Sequence, residues 1–360
     1  MDMTWAIDPL GEPVTFVSVG LLAGMLFGVC AQRSRFCMRA AVVELSRGTG
    51  VNRTAVWMIA FAGAVLGTQG LAWSGMLEVS EARQLASAGS LSGAIIGGLM
   101  FGAGMILTRG CPGRLLVLAA NGNLRALLAG LVFAVVAQAS LRGVLAPVRE
   151  SLAGLWVVND PSVQNALTVL GLGPNWGVVL AGVFMAGAIL VAMRARLSAW
   201  AWIGGVGVGA AVALGWLLTY SLSLQAFDPV TVESLSFTGP SADMLMLLLS
   251  PGAVGLDFDT GMIPGVVLGS FLAALLGREI KLESFTAGYS VPRYIIGAVL
   301  LAFGGMLAGG CAIGAGVSGG AVFALTAWTA LVFMSLGAAV TDLIVDRRRR
   351  PAADGAVAVG

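Results

Sequence analysis

Of the 360 residues, 58% are hydrophobic and 11% charged, against about 25% charged in ordinary soluble domains, so water is not the main solvent of this chain. The formal net charge of +2 says little by itself, and no nucleic-acid partner is expected. Several apolar runs reach the roughly 17–25 residues that a bilayer core requires, which excludes a single anchor or a cleaved signal peptide as their explanation. Ala, Leu and Gly dominate over aromatics, as suits a helical bundle rather than a β-barrel.

In chain order, spans are predicted at 14–30, 54–75, 91–108, 124–144, 176–193, 199–220, 262–277, 294–308 and 319–344. Alternating the connections between two sides gathers Arg33, Arg35, Arg39, Arg47, Arg53, Arg109, Arg114, Arg125, Arg194, Arg196, Arg278, Lys281, Arg293 and Arg347 to Arg350 on one of them, 17 of the 20 basic residues. The other side holds Glu78, Glu81, Glu150, Asp160, Glu233, Asp243, Asp257 and Asp259 among its acids, with Arg83, Arg142 and Arg149 as its arginines. Positive charge marks the cytoplasmic side, so the N-terminus is expected outside and the C-terminus inside a plasma (inner) membrane.

The chain reads as a duplication. "GAVLGT" at 63–68 returns as "GVVLGS" at 265–270, "IIG" at 95–97 returns at 295–297, Gly110-Cys111 returns as Gly310-Cys311, and "LVF" at 131–133 returns at 331–333. Each half holds four spans and the ninth lies between them, so the halves enter the bilayer from opposite sides. The expected organisation is an N-terminal segment (1–13), a first inverted repeat (14–145), a linker with the central span (146–198), a second inverted repeat (199–344) and a basic tail (345–360) that meets anionic lipid.

Four segments are too short to cross: "FCMRAAVVELSRG" from Phe36, "CPGRLLVLAANG" from Cys111, "FTGPSADMLMLLLS" from Phe237 and "CAIGAGVSGG" from Cys311. Irregular backbone at membrane depth survives only where protein buries it or a cavity receives it, so these pieces are the expected pore lining. Glycines at four-residue spacing (Gly20, Gly24, Gly28; Gly63, Gly67; Gly205, Gly209; Gly265, Gly269) suit close helix packing.

The absence of histidine excludes Ser-His-Asp and Cys-His catalysis and histidine metal sites. No CxxC occurs among Cys30, Cys37, Cys111 and Cys311. Pro112 has the geometry of a first helical residue, so Cys111 reads as the N-cap of a half-helix, with unpaired N–H groups and the positive end of a dipole aimed at whatever the thiol meets. Arg109 and Arg114 flank it, as suits an anion. Cys311 holds the matching place in the second half, among glycines. Cys37 heads its short segment among Arg33, Arg35 and Arg39, and Cys30 reads as packing. Sulphur is soft and S–H is a weak donor, so a soft sulphur-bearing anion is the natural partner.

"RSRFCMRAA", "GAGMILTRGCPGR" and "GGMLAGGCAIGAGVSGG" resemble the YeeE/YedE sulphur-transport family, whose characterised class takes up thiosulfate. The resemblance implies an all-α, hourglass-shaped polytopic protein with thirteen helices, nine of them spanning. It also implies passage of thiosulfate by transient S–H···S contacts with pore cysteines, without a covalent intermediate. Carried onto this chain, the substrate path is Cys111, Cys311 and Cys37 with Gly110, Gly310, Pro112, Arg109 and Arg114. A transporter of this kind is not an enzyme, needs no cofactor, and can hand its cargo to a cytoplasmic sulphur-accepting protein. Members that move thiosulfate carry a further cysteine ahead of the second span of the second half, where this chain offers hydroxyls such as Thr238 and Thr260. Another sulphur or selenium anion, a membrane thiol oxidoreductase and a non-transporting subunit are the competing readings.

Overall fold

The computed structural model describes residues 9, 11–173, 175–226, 230–250, 252, 255–283 and 291–347. The basic stretch from 348 onward and most of the segment before 11 lie outside the described residues. Helices dominate: α1 Glu12–Ser34, α2 Met38–Arg47, α3 Asn52–Trp73, α4 Leu91–Leu107, α5 Pro112–Ala120, α6 Leu124–Arg142, α7 Trp176–Ala195, α8 Ala199–Ser223, α9 Thr238–Leu249, α10 Phe258–Leu276, α11 Val291–Leu307, α12 Ala312–Ser318 and α13 Leu325–Thr341. Among the described residues nine stretches are long and apolar enough to cross a membrane, and each overlaps one of the nine predicted spans. The four short segments are α2, α5, α9 and α12.

Two differences from the sequence reading are local. The last span starts at Leu325 instead of 319, because the chain turns between α12 and α13 with Phe323 in the left-handed region at φ 56°. Small helices, Arg83–Ala86, Ala146–Ala153, Pro161–Gln164 and Ala166–Val169, and a two-residue strand pair of Gly89–Ser90 with Val157–Val158 fill connections that hydropathy alone left blank.

Helix ends follow capping chemistry. Ser90 Oγ accepts from the Gly93 N–H at the start of α4, and Asn123 does the same for the Ala126 N–H at α6. Asp257 and Thr260 form a reciprocal capping box at α10. Arg35 and Arg196 end α1 and α7 in the left-handed conformation.

Lipid tails are as apolar as leucine, so helices here associate through close packing. The tightest case is α1 against α10. A methyl group on Gly20, Gly24 or Gly28 would collide with the carbonyl oxygens of Phe258, Met262 and Val266, and one on Gly261, Gly265 or Gly269 with those of Val17, Leu21 and Met25. Helix α4 uses Gly97 and Gly104 against α11, where an added Cβ would stand 2.6 Å from the Gly304 and Gly297 oxygens, and Gly102 against α13. At α3 and α8, Gly209 leaves its added Cβ 2.7 Å from the Ala60 oxygen. Helix α7 packs on α3 and buries only 22% of its most apolar window.

The contacts pair off. Helix α1 packs on α10 as α8 does on α3, α4 on α13 as α11 on α6, α9 on α6 as α2 on α13, and α5 on α6 as α12 on α13. On the basic face, Arg47 donates from Nε and Nη2 to the two oxygens of fully buried Asp342, at 2.7 and 2.6 Å. Arg293 reaches Asp346 at 2.8 Å and Arg39 approaches it at 3.7 Å, so the end of α13 is tied to α2 and α11.

Gly24→Val is expected to lower thermal stability in detergent by about 1–3 kcal/mol or more, because its obstacle is backbone that cannot turn aside. Gly182→Val, at an exposed α7 position with nothing within 4 Å of an added Cβ, leaves it unchanged. Size-exclusion chromatography of heated samples distinguishes the two.

Candidate functional site

Cys111 precedes α5 in extended conformation, φ −83° and ψ 167°, with Pro112 opening the helix, and its thiol makes no capping hydrogen bond. Cys311 does the same before α12, at φ −82° and ψ −177°, and its sulphur accepts the Gly314 N–H at 3.4 Å. The chain after Cys311 is π-helical: the Gly316 N–H reaches back to the Cys311 carbonyl at 3.3 Å. Such wide turns recur at functional sites. All seven residues of α12 are buried, as irregular backbone at membrane depth requires.

The two short helices meet start to start. An added Cβ at Gly113, in the first turn of α5, would lie 2.9 Å from Ile313 at the start of α12 and 3.2 Å from the Phe237 ring. Phe237 in turn packs on Phe27 with ring centroids 5.3 Å apart. Cys111 and Cys311 are 2% and 1% exposed, and Cys111 stands within electrostatic reach of Cys311, Cys37 and Arg114. Gly310 is required by space, since a side chain there would press on the Ala315 nitrogen at 2.7 Å; at Gly110 the neighbour is the flexible Leu115 side chain at 3.3 Å. Arg109 holds φ 61°, the left-handed conformation that Gly309 adopts with φ 80° in the other half. For a non-glycine residue that conformation is uncommon.

A cavity of 510 Å³ opens on the basic face. Its wall brings together Cys37, Arg35, Arg53, Arg109, Arg114, Arg278 and Lys281, with Glu279 and Glu283 as its acids. Arg114 Nη1 is buried there without a hydrogen-bond partner. Gln32 donates to Glu279 at 2.7 Å and accepts from the Asn121 amide at 2.8 Å, while Asn123 and Arg125 hold Glu283 at 2.5 and 3.1 Å. The acids are thus engaged by the rim, and positive charge dominates the interior.

A second cavity, of 290 Å³, opens on the opposite face. Arg83, Gln84, Arg149 and the Met306–Gly309 turn line it, with Ala315 from α12 at its floor. The Ala315 N–H donates to the Cys311 carbonyl at 2.8 Å, so Cys311 is one helical turn from a wall residue of this cavity.

The structure therefore gathers Cys37, Arg109 and Arg114 in one cavity wall, with Cys111 next to it and Cys311 beyond. Cys30 is elsewhere: a Cβ at Gly207 would run into its sulphur, so it serves the packing of α1 on α8. Sequence reasoning missed the Gln32–Asn121 pair and the Phe27–Phe237 contact, since neither amides nor phenylalanines stand out in such a chain. Thr238 was visible only as one hydroxyl among several. It opens α9, is 1% exposed, and sets its hydroxyl beside the Cys311 thiol.

The sulphur transport family profile matches residues 33–340, a range that includes Cys37, Cys111 and Cys311 and the short helices that they head. The chain belongs to the sulphur transport family. Among its relatives are the thiosulfate transporter TsuA of Spirochaeta thermophila, 28% identical over 346 residues that cover 91% of this chain and 99% of that one, and the thiosulfate transporter TsuA of Escherichia coli K12, 25% identical over 345 residues covering 88% and 91%. It is thus a multi-pass membrane transporter rather than an enzyme, and its cargo is a sulphur compound.

Exposure sets an order of thiol reactivity in this transporter. A water-soluble maleimide added to the detergent-purified protein is expected to modify Cys37 first and Cys30, Cys111 and Cys311 at least about tenfold more slowly, since buried thiols are inert. Mass spectrometry of the labelled peptides over time checks the order.

Proposed function

We propose that this protein takes up a small sulphur-containing anion, thiosulfate first among them, by passing it from Cys311 to Cys111 and on toward Cys37 through transient S–H···S contacts. The observation that carries this reading is that cavities on opposite faces converge on two short helices, each headed by a buried free thiol. In this reading the 290 Å³ cavity faces outside, the 510 Å³ cavity faces the cytoplasm, and the N-terminus is outside. The pairwise matching of helix contacts between 12–142 and 199–341 supports two inverted repeats, with α7 between them and the thiols near the waist of an hourglass.

Each structural feature has a task in this scheme. The N-termini of α5 and α12 offer N–H groups and a positive dipole end to the anion as it passes the thiols. A weak S–H donor holds soft sulphur without trapping it, as passage through successive sites demands. Gly110, Pro112 and Gly310 shape the turns that present the thiols. Arg114, with its unpartnered buried nitrogen, and Arg109 receive the anion on the cytoplasmic side. The basic cavity also fits the docking of a sulphur-accepting protein at the inner membrane. The match to two thiosulfate transporters over nearly their whole length favours thiosulfate, and Thr238 beside Cys311 leaves room for a related sulphur or selenium oxyanion.

Uptake of labelled thiosulfate into proteoliposomes tests this. Cys111→Ala and Cys311→Ala are each expected to slow the initial rate at least about fivefold, the worth of one ordinary hydrogen bond of about 1 kcal/mol, while Cys30→Ala leaves it near wild type. Transport that neither substitution slows overturns the relay; absent thiosulfate uptake with entry of another sulphur anion overturns only the substrate.

A further inference from the structure

A carboxyl cluster lies beside the 290 Å³ cavity, and the relay makes no use of it. Asp259, in the first turn of α10, is 8% exposed, and its Oδ1 is buried with no hydrogen-bond partner. Glu233, in the connection between α8 and α9, is an electrostatic neighbour of Asp259. It also meets Arg83, whose Nε stands 3.6 Å from Glu233 Oε2. The two loops are stitched at this point, since the Arg83 N–H donates to the Val232 carbonyl at 3.0 Å and Thr219 donates to the Glu233 carbonyl at 2.6 Å.

Arg83 therefore belongs to two sites at once. It lines the cavity through which the anion would arrive, and its guanidinium is held by a carboxylate. The other charged groups that face the pair are Asp257, the N-cap of α10, and Asp243 of α9, which Arg142 approaches at 3.7 Å. Asp257, Asp243 and Asp259 thus surround Glu233, the carboxyl that Arg83 meets. Two neighbouring carboxyls repel one another when both are ionised, which favours uptake of a proton by the pair. Burial raises the Glu233 carboxyl above the ordinary value of about 4.3.

We propose that anion binding in the Arg83 cavity is linked to uptake of a proton by the Glu233–Asp259 pair. With the pair deprotonated, Glu233 holds Arg83 and the local charge repels the anion. A proton from the solvent on that side neutralises Glu233, and Arg83 turns to the cavity as an anion-binding group. No bond other than the O–H is made or broken, and the proton leaves the pair when Arg83 returns to it. Linkage is reciprocal, so acid strengthens anion binding and the anion draws a proton by the same factor. The inference rests on the reading of this cavity as the outer mouth of the transport path.

Two measurements test it. In proteoliposomes, initial thiosulfate uptake by the wild type is expected to rise several-fold as the external medium is acidified by about two pH units from mildly alkaline. Glu233→Gln and Asp259→Asn, checked for monodispersity by gel filtration, should lose that dependence. In a weakly buffered detergent solution, thiosulfate added to the wild type should make the medium more alkaline, and to Glu233→Gln should not. Transport that proceeds with the wild-type pH profile in both variants, or thiosulfate binding to the wild type that moves no proton, overturns the linkage and leaves the relay standing. Absence of thiosulfate transport at every pH overturns the functional reading, and the linkage with it.

Discussion

Backbone at membrane depth must be covered by protein, and in this molecule that requirement governs everything near the thiols. Helices α5 and α12 begin inside the protein, and their first N–H groups have no partner within the helix. Lipid cannot supply one. The long helices must therefore come close enough to seal α5 and α12 from the bilayer, and glycine makes this possible. Six glycines bring α1 and α10 to backbone contact, and Gly97, Gly104, Gly297 and Gly304 do so for α4 and α11. The seal leaves polar helix starts facing each other across Gly113, Ile313 and Phe237.

Charge is arranged around that seal in two different ways. On the basic face six cations surround a cavity whose acids are occupied by Gln32, Asn123 and Arg125. The opposite cavity has two arginines, and one of them is shared with a buried carboxyl pair. The positive field on the basic face is carried by arginines and a lysine alone, whereas on the other face an arginine shares its charge with a carboxylate. The Arg47–Asp342 pair is of another kind: it is bidentate and buried, and it fixes α2, the helix that Cys37 heads. Removing one member of such a pair strands a charge, so it acts as a rigid tether.

Much of this was legible before any coordinates. The nine spans follow from hydropathy because the bilayer imposes one length and one solvent on all of them. The four short helices follow from glycine, cysteine and proline breaking those runs at matching places. Gly20, Gly24, Gly28, Gly265 and Gly269 were recognisable as packing residues by their spacing, though only the structure shows that they face one another. The start of α13 was misplaced because residues 319–324 are as apolar as the helix that follows, and hydropathy does not register a turn at Phe323.

What the sequence by itself determined was the solvent, the number of crossings, the family's thiols and the side on which positive charge gathers, all of which depend on composition and local spacing. Only the tertiary structure decided which charges meet. Arg83 looked like a stray cation among acids, Asp259 like one more residue of an acidic loop, and Thr238 like any other hydroxyl. Their meaning comes from partners distant in sequence, Glu233 for Arg83 and Cys311 for Thr238, brought together by helix packing. The physical reason is that burial and pairing are properties of a neighbourhood: a carboxyl costs little in water and a great deal at 8% exposure beside another carboxyl, and no local pattern in the chain records that neighbour.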